Sequence, residues 1–319
     1  MSLGNLFKLI YNELIKIYIL KSTWIMYIAL AVIIVASGFL SSAFDDYRTS
    51  YSDDNWQEEL QQENANLEQE MQEVGFFQEY NTLEIEKNNY YLENDIKPFG
   101  YGAWQFTNDQ QFMMSIVSLL TIIVAGGIIA NEFRWGTIKL LLIRPISRSK
   151  ILLSKYIAVL LFALITLLFV VAVSWIVGAI FFGVEGLNPK IVQIDGDSLV
   201  FISVIGELAA GYGYKLVNLV MMGTFAFMIS SIFRNSALAI GTAVFLMFAG
   251  NSIVLFFSQR EWAKYILFAN TDLSQYASDF GPMIPGMTLE FSIIVLIVYY
   301  IIFMVAAWTV FAKRDIAGS

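Results

Sequence analysis

Hydrophobic residues along this chain gather into six long runs, separated by polar segments of very unequal length. The runs lie near residues 23–43, 112–131, 152–182, 214–232, 237–257 and 290–311. Each is long enough to cross about 30 Å of hydrocarbon as a helix. The pattern predicts an all-α integral membrane protein with six transmembrane helices. The third run is longer than an upright span needs, so it is expected to tilt or to extend past the bilayer. Only FRNS, with Arg234 and Asn235, joins the fourth and fifth runs, which predicts a tight antiparallel hairpin.

The polar segments carry patterns of their own. Within residues 1–22, Leu3, Leu6, Phe7, Ile10, Leu14 and Ile17 recur at helical spacing, with Lys8, Asn12 and Lys16 on another face. That is the signature of an interfacial helix lying on the membrane surface. The first run follows this helix and ends in no small-residue cleavage pattern, so it is read as a retained span rather than a cleaved leader. Residues 44–111 form the largest polar insert. In it Trp56, Leu60, Leu67, Met71 and Val74 recur at three, four and seven positions, the seam of an amphipathic or coiled helix. A second group (Phe76, Phe77, Tyr80, Tyr90, Tyr91) is placed to close a helical hairpin or to rest on the membrane interface. Residues 183–213 and 258–289 are read as the loops after the third and fifth spans, and 312–319 as a polar tail.

Charge orients this arrangement. The overall charge is −8, but its distribution is uneven. Residues 1–22, 132–155, 233–236 and 312–319 together hold 12 basic and 3 acidic residues, whereas 44–111, 183–215 and 258–290 hold 7 basic and 24 acidic ones. The positive-inside bias places both termini in the cytoplasm and the acidic insert outside the cell membrane. The insert is expected to be helical, and two readings stay open for it. It is a solvated segment without a specific ligand, or a surface that draws in a cationic molecule such as a basic peptide.

Composition removes whole classes of chemistry. Hydrophobic residues make up 57% of the chain and charged residues 14%, where a soluble domain carries about 25% charged residues. Cysteine and histidine are both absent, which excludes disulfides, thiol or imidazole catalysis and zinc sites built on those ligands. There is no G-x-x-x-x-G-K-[ST] phosphate cradle, no H-E-x-x-H and no G-x-S-x-G. No nucleic-acid partner is expected, and the chain itself is not expected to be an enzyme. Near the spans only Glu207 and Lys215 approach the membrane interior, which disfavours ion-coupled transport. Energy for any transport must then come from a partner.

One segment looks built to meet such a partner. EFRWGTIKLLLIRPISRSKILLSK, residues 132–155, carries six basic residues against Glu132, around a short apolar turn of Ile138, Leu141 and Leu142. Gly136 loosens the end of the second span, Pro145 stops the turn, and Ser147 is placed to cap the third span. The plainer account is that these cations set topology and meet anionic lipid. The embedded apolar turn favours a protein contact.

Together with NELIKIYILKSTWIMY and FAKRDI, the stretch NEFRWGTIKLLLIRPISRSKILLSKYI resembles the permease subunits of ABC-2 type transporters. More narrowly, it resembles the Firmicute permeases associated with drug and peptide-antibiotic export. The resemblance spans the chain except for the acidic insert, which is longer than expected. It implies that residues 132–151 form a coupling helix docking on a separate cytoplasmic ATPase subunit, present in two copies. Glu132, Arg134, Gly136, Thr137, Lys139, Leu141, Leu142, Arg144, Pro145, Ser147 and Lys150 would be the docking and transmission residues. It also implies short re-entrant helices in 258–289, around Trp262, Pro282 and Pro285. A second permease copy or a paralogue would complete the membrane part, with ATP and magnesium held by the ATPase and no cofactor in this chain. The expected activity is efflux of a lipophilic or amphipathic compound, with antibiotic resistance as its outcome. The alternative is a non-transporting sensor or scaffold whose acidic ectodomain binds a cationic ligand or partner.

Overall fold

The structure is a computed structural model that describes residues 3–44, 50–73, 78–137, 146–184, 186–195, 198–277 and 281–313. Val74, Phe76, Phe77, Ile138, Lys139, Leu141, Leu142, Arg144 and Pro145 lie outside the described residues, as does the end of the FAKRDI motif.

Helix α1, Leu3–Ile19, is followed after one residue by α2, Lys21–Phe44. Next come α3, Trp56–Glu73, and α4, Gln78–Glu93. Then α5, Ala103–Asp109, α6, Met113–Ile128, and α7, Ala130–Arg134, succeed one another with only short interruptions. Helix α8, Arg148–Phe182, precedes a β-hairpin of β1, Lys190–Asp195, and β2, Ser198–Ser203. Helix α9, Val204–Phe233, turns directly into α10, Ser236–Phe257. The short α11, Leu267–Asn270, lies before the last helix, α12, Leu289–Lys313. Among the described residues six stretches are long and apolar enough to span a membrane: α2, the α5–α7 run, α8, α9, α10 and α12. The protein is an all-α integral membrane protein with a small β element.

The chain divides into two compact units, Met1–Ala31, Gln111–Val170 and Tyr212–Ser319 in the first, and Val32–Gln110 with Val171–Gly211 in the second. The first unit has a core of Ile122, Ala125 and Ile129 against Leu152, Tyr156, Val159, Met222 and Phe227. Lipid tails are as apolar as these side chains, so close packing and internal hydrogen bonds must supply the association. Both are present. A Cβ on Gly126 would come within 2.7 Å of Ile240 Cγ1, so α6 and α10 approach closely only because that position is glycine. The Tyr156 and Thr224 hydroxyls are 2.8 Å apart, and Tyr27 meets Thr166 at 2.9 Å.

The second unit contains the acidic insert. Its α3 and α4 pair through asparagines as well as the expected seam. Trp56 and Leu60 are buried, and the next turn places Asn64 there, accepting from Asn88 at 2.9 Å and donating to Asn89 at 3.0 Å. Tyr91 is buried and its hydroxyl accepts the Val192 amide, which joins α4 to β1, while Tyr80 is exposed. The segment read as a loop at 183–213 thus differs from expectation. β-Branched and aromatic residues on both sides of a Gly-Asp pair form the antiparallel ladder, with Val192 opposite Phe201, and α9 starts at Val204. The described residues of 258–289 contain short helical turns at Glu261–Tyr265, Leu267–Asn270 and Leu273–Tyr276. They are held by Asn270, which donates to the Lys264 and Ile266 carbonyls and accepts from Ser292.

Candidate functional site

The two feet of the basic segment 132–155 meet in a buried charge cluster. Glu132 stands in α7 at the end of the second span, and Lys155 stands two turns into α8. Lys155 Nζ lies 2.9 Å from Glu132 Oε1 and 2.7 Å from Glu13 Oε2, and its side chain is 1% exposed. Lys16 closes the group, 2.8 Å from Glu13 and 3.0 Å from Glu132. Two carboxylates and two ammonium groups thereby cancel. Burial works against the Lys16 charge, yet the Glu13 and Glu132 carboxylates hold its pKa above the ordinary lysine value. An uncompensated charge in this place would be costly, so the four groups hold one another in register.

Helical spacing explains why these side chains converge. Glu13 sits between Ile10 and Ile17 on the buried face of α1, and all three are buried. Lys155 occupies the same kind of position, four residues from both Ile151 and Val159, which are also buried. Thr137 adds a further tie by donating to Glu132 Oε2 at 2.5 Å. Gly136, at φ +70°, makes the turn that brings Thr137 back, a conformation that favours glycine.

The end of the second span is also gripped from the other side. The helix breaks at Ile129, and the Ala130 N–H donates to Ser230 Oγ of α9 at 3.1 Å. The Arg234 guanidinium stacks over Phe133, 4.3 Å from its ring centroid. Arg234 itself adopts φ +54° where α9 turns toward α10. On the far foot, α8 begins right after Ser147, whose carbonyl accepts from the Lys150 and Ile151 amides. Arg148 donates to the Ala312 carbonyl near the end of α12 at 3.1 Å.

The expected site residues therefore divide into two kinds. Glu132 and Thr137 face inward, in the cluster. Arg134, Gly136, Ser147 and Lys150 are exposed, and Trp135 beside them is 62% exposed. Lys139, Leu141, Leu142, Arg144 and Pro145 fall outside the described residues. Sequence reading missed Glu13, Ser230 and the clustering of Lys155. A signal for two of them existed, since Glu13 and Lys155 each interrupt an apolar helical stripe.

A family model covering residues 73–317, described as Protein of unknown function (DUF2705), matches this chain. The chain belongs to the DUF2705 family. Uncharacterized protein YhcI of Bacillus subtilis (strain 168) is 43% identical over 315 residues, which cover 97% of this chain and 99% of YhcI. Uncharacterized membrane protein YdbK of the same organism is 35% identical over 203 residues, 63% of this chain and 78% of YdbK. The six apolar helices mark this chain as a multi-pass membrane protein, and the name of YdbK agrees with that. The matched region begins in the acidic insert and runs through both feet of the basic segment.

Proposed function

We propose that this DUF2705 protein is the membrane permease subunit of an ATP-driven transporter of the ABC-2 type, lying in the cell membrane with both termini in the cytoplasm. The observation that carries the reading is the Glu13–Lys16–Glu132–Lys155 cluster. It fastens the helices on either side of the basic segment to each other and to α1. The two feet, tied to each other and to α1, would move together with their spans. A push delivered to the basic segment by a partner would then reach α6 and α8 instead of being absorbed locally. The chain lacks a nucleotide-binding loop of its own, so the partner is a separate ATPase, in two copies around a pair of permeases. Exported cargo would be lipophilic or amphipathic, in keeping with spans that hold few charges.

Affinity purification of the tagged protein from its native host tests this. An ATPase with nucleotide-binding motifs should co-purify, and Leu141→Asp or Arg144→Glu should lower its recovery about tenfold or more, the scale of losing one interface hot spot. Membrane yield of both variants should stay normal. If no ATPase is recovered from the wild type, the permease reading fails, and the acidic insert as a sensor surface becomes the better account.

A further inference from the structure

Lys215 and Asp272 form an ion pair that the basic-segment cluster does not involve, with Nζ 3.1 Å from Oδ1. Ser274 joins them, accepting from Lys215 at 3.1 Å and donating its amide to Asp272 at 3.2 Å. Burial alone would raise the Asp272 pKa, but Ser274 and Lys215 hold it below the usual carboxylate range. The pair borders a cavity of about 270 Å³ among α6, α9, α10 and the residues after α11. Ser118, Asn218 and Asn251 bring hydroxyl and amide groups to its wall, and Met114, Met222 and Met247 bring adaptable apolar surface. A second cavity of about 530 Å³ shares Asn251, Phe268 and Asp272 with it and continues toward Gln275 and Pro282. Phe268 keeps its place at the junction because Gly250 leaves room, and a Cβ there would overlap the ring.

Polar groups of this density are expensive within membrane-spanning helices and mark sites of use. We propose that the two cavities form one binding route for an amphiphile whose polar part is uncharged or zwitterionic and carries amide-like hydrogen-bonding groups. Asn218, Asn251 and Ser118 offer both donors and acceptors to such a group. Lys215 and Asp272 decide the charge class. They neutralise each other at the partly exposed edge of the cavity, so a ligand with a lone charge meets no net charge there and gains a partner only at the cost of separating the pair. A zwitterion exchanges partners without that cost. Methionine walls accept apolar bodies of varied shape. As the route of an exported cargo this rests on the permease reading, whereas binding itself does not.

The absence of native cysteine permits a direct test on the full chain in bilayer nanodiscs, with no ATPase present. Ser118→Cys and Asn251→Cys are made singly, with Gln62→Cys in the insert as an exposed control. Labelling by hydroxyethyl methanethiosulfonate is timed alone and with four dodecyl amphiphiles, all below micelle formation. These are dodecanoyl-glycinamide, dodecyl betaine, dodecanoate and dodecyltrimethylammonium. Both cavity positions should label, and the amide and the betaine should slow labelling at least ~5-fold while the two singly charged amphiphiles have little effect. Adding Lys215→Met should extend protection to the cation, and adding Asp272→Asn should extend it to dodecanoate. Should either charge variant fail to fold, as judged by size exclusion, the pattern with the pair intact decides alone. A Ser118→Cys that stays unlabelled while Gln62→Cys reacts would overturn the proposal. Equal protection by all four amphiphiles would do so as well. Neither result bears on ATPase docking.

Discussion

Lys155 shows how much one buried side chain holds in this protein. Among the described residues two ammonium groups bridge Glu13 and Glu132, and that of Lys155 is the buried one, since the Lys16 side chain is half-exposed. Replacing it by Met fills the space but leaves two carboxylates facing one cation. Breaking a buried ion network by removing one partner costs about 3–5 kcal/mol. Lys155→Met is therefore expected to lower the thermal midpoint of the purified protein clearly. Adding Glu132→Gln should restore part of the loss, because it removes the uncompensated charge. Denaturation of the single and double variants in mixed micelles measures this, and strictly additive losses would show that the pair is not coupled.

Among the elements, α8 depends on a close approach in the second unit. A Cβ at Gly178 would lie 2.9 Å from Ala103 Cα and 3.1 Å from its carbonyl oxygen, both backbone atoms at the start of α5. Backbone cannot yield as a flexible side chain can. Gly178→Val should thus destabilise by about 1–3 kcal/mol, the usual scale of overpacking. Gly213→Ala, in a helix with open space around it, serves as the control and should be neutral or slightly stabilising. Similar losses at the two positions in a thermal-shift comparison would contradict the packing account. The β-hairpin teaches a different lesson about elements. Its residues read as a loop in a chain dominated by helix, yet β1 gains its stability from Tyr91 and Phe201, the first of which lies about a hundred residues away in sequence. A pattern of six residues per strand is too short to announce itself without such a support.

For the whole molecule, the charge asymmetry carries a prediction about orientation. In intact cells an impermeant maleimide should label Gln62→Cys in the insert and leave Lys150→Cys in the basic segment unlabelled until the membrane is opened. The reverse pattern would invert the topology and remove the basic segment from any cytoplasmic partner. Much of this protein is legible in one dimension. Span number depends on hydrophobic runs, which act over about 20 residues at a time. The basic segment stood out for the same reason, as did Glu132 within it. What surrounds Glu132 did not, because Lys16 lies 116 residues from it and Lys155 lies 23 residues from it, and the three meet only when α1, α7 and α8 pack together. Lys215 was visible as a charge near a span, but its pairing with Asp272 and the cavity beside them appear only once the turns after α10 fold back. Sequence alone determined that this chain enters a membrane and which segments are apolar enough to cross it, since transfer from water to hydrocarbon is decided segment by segment. The tertiary structure decided which buried charges and amides compensate one another, because in a low-dielectric interior each of them is tolerable only beside a partner that packing brings from elsewhere in the chain.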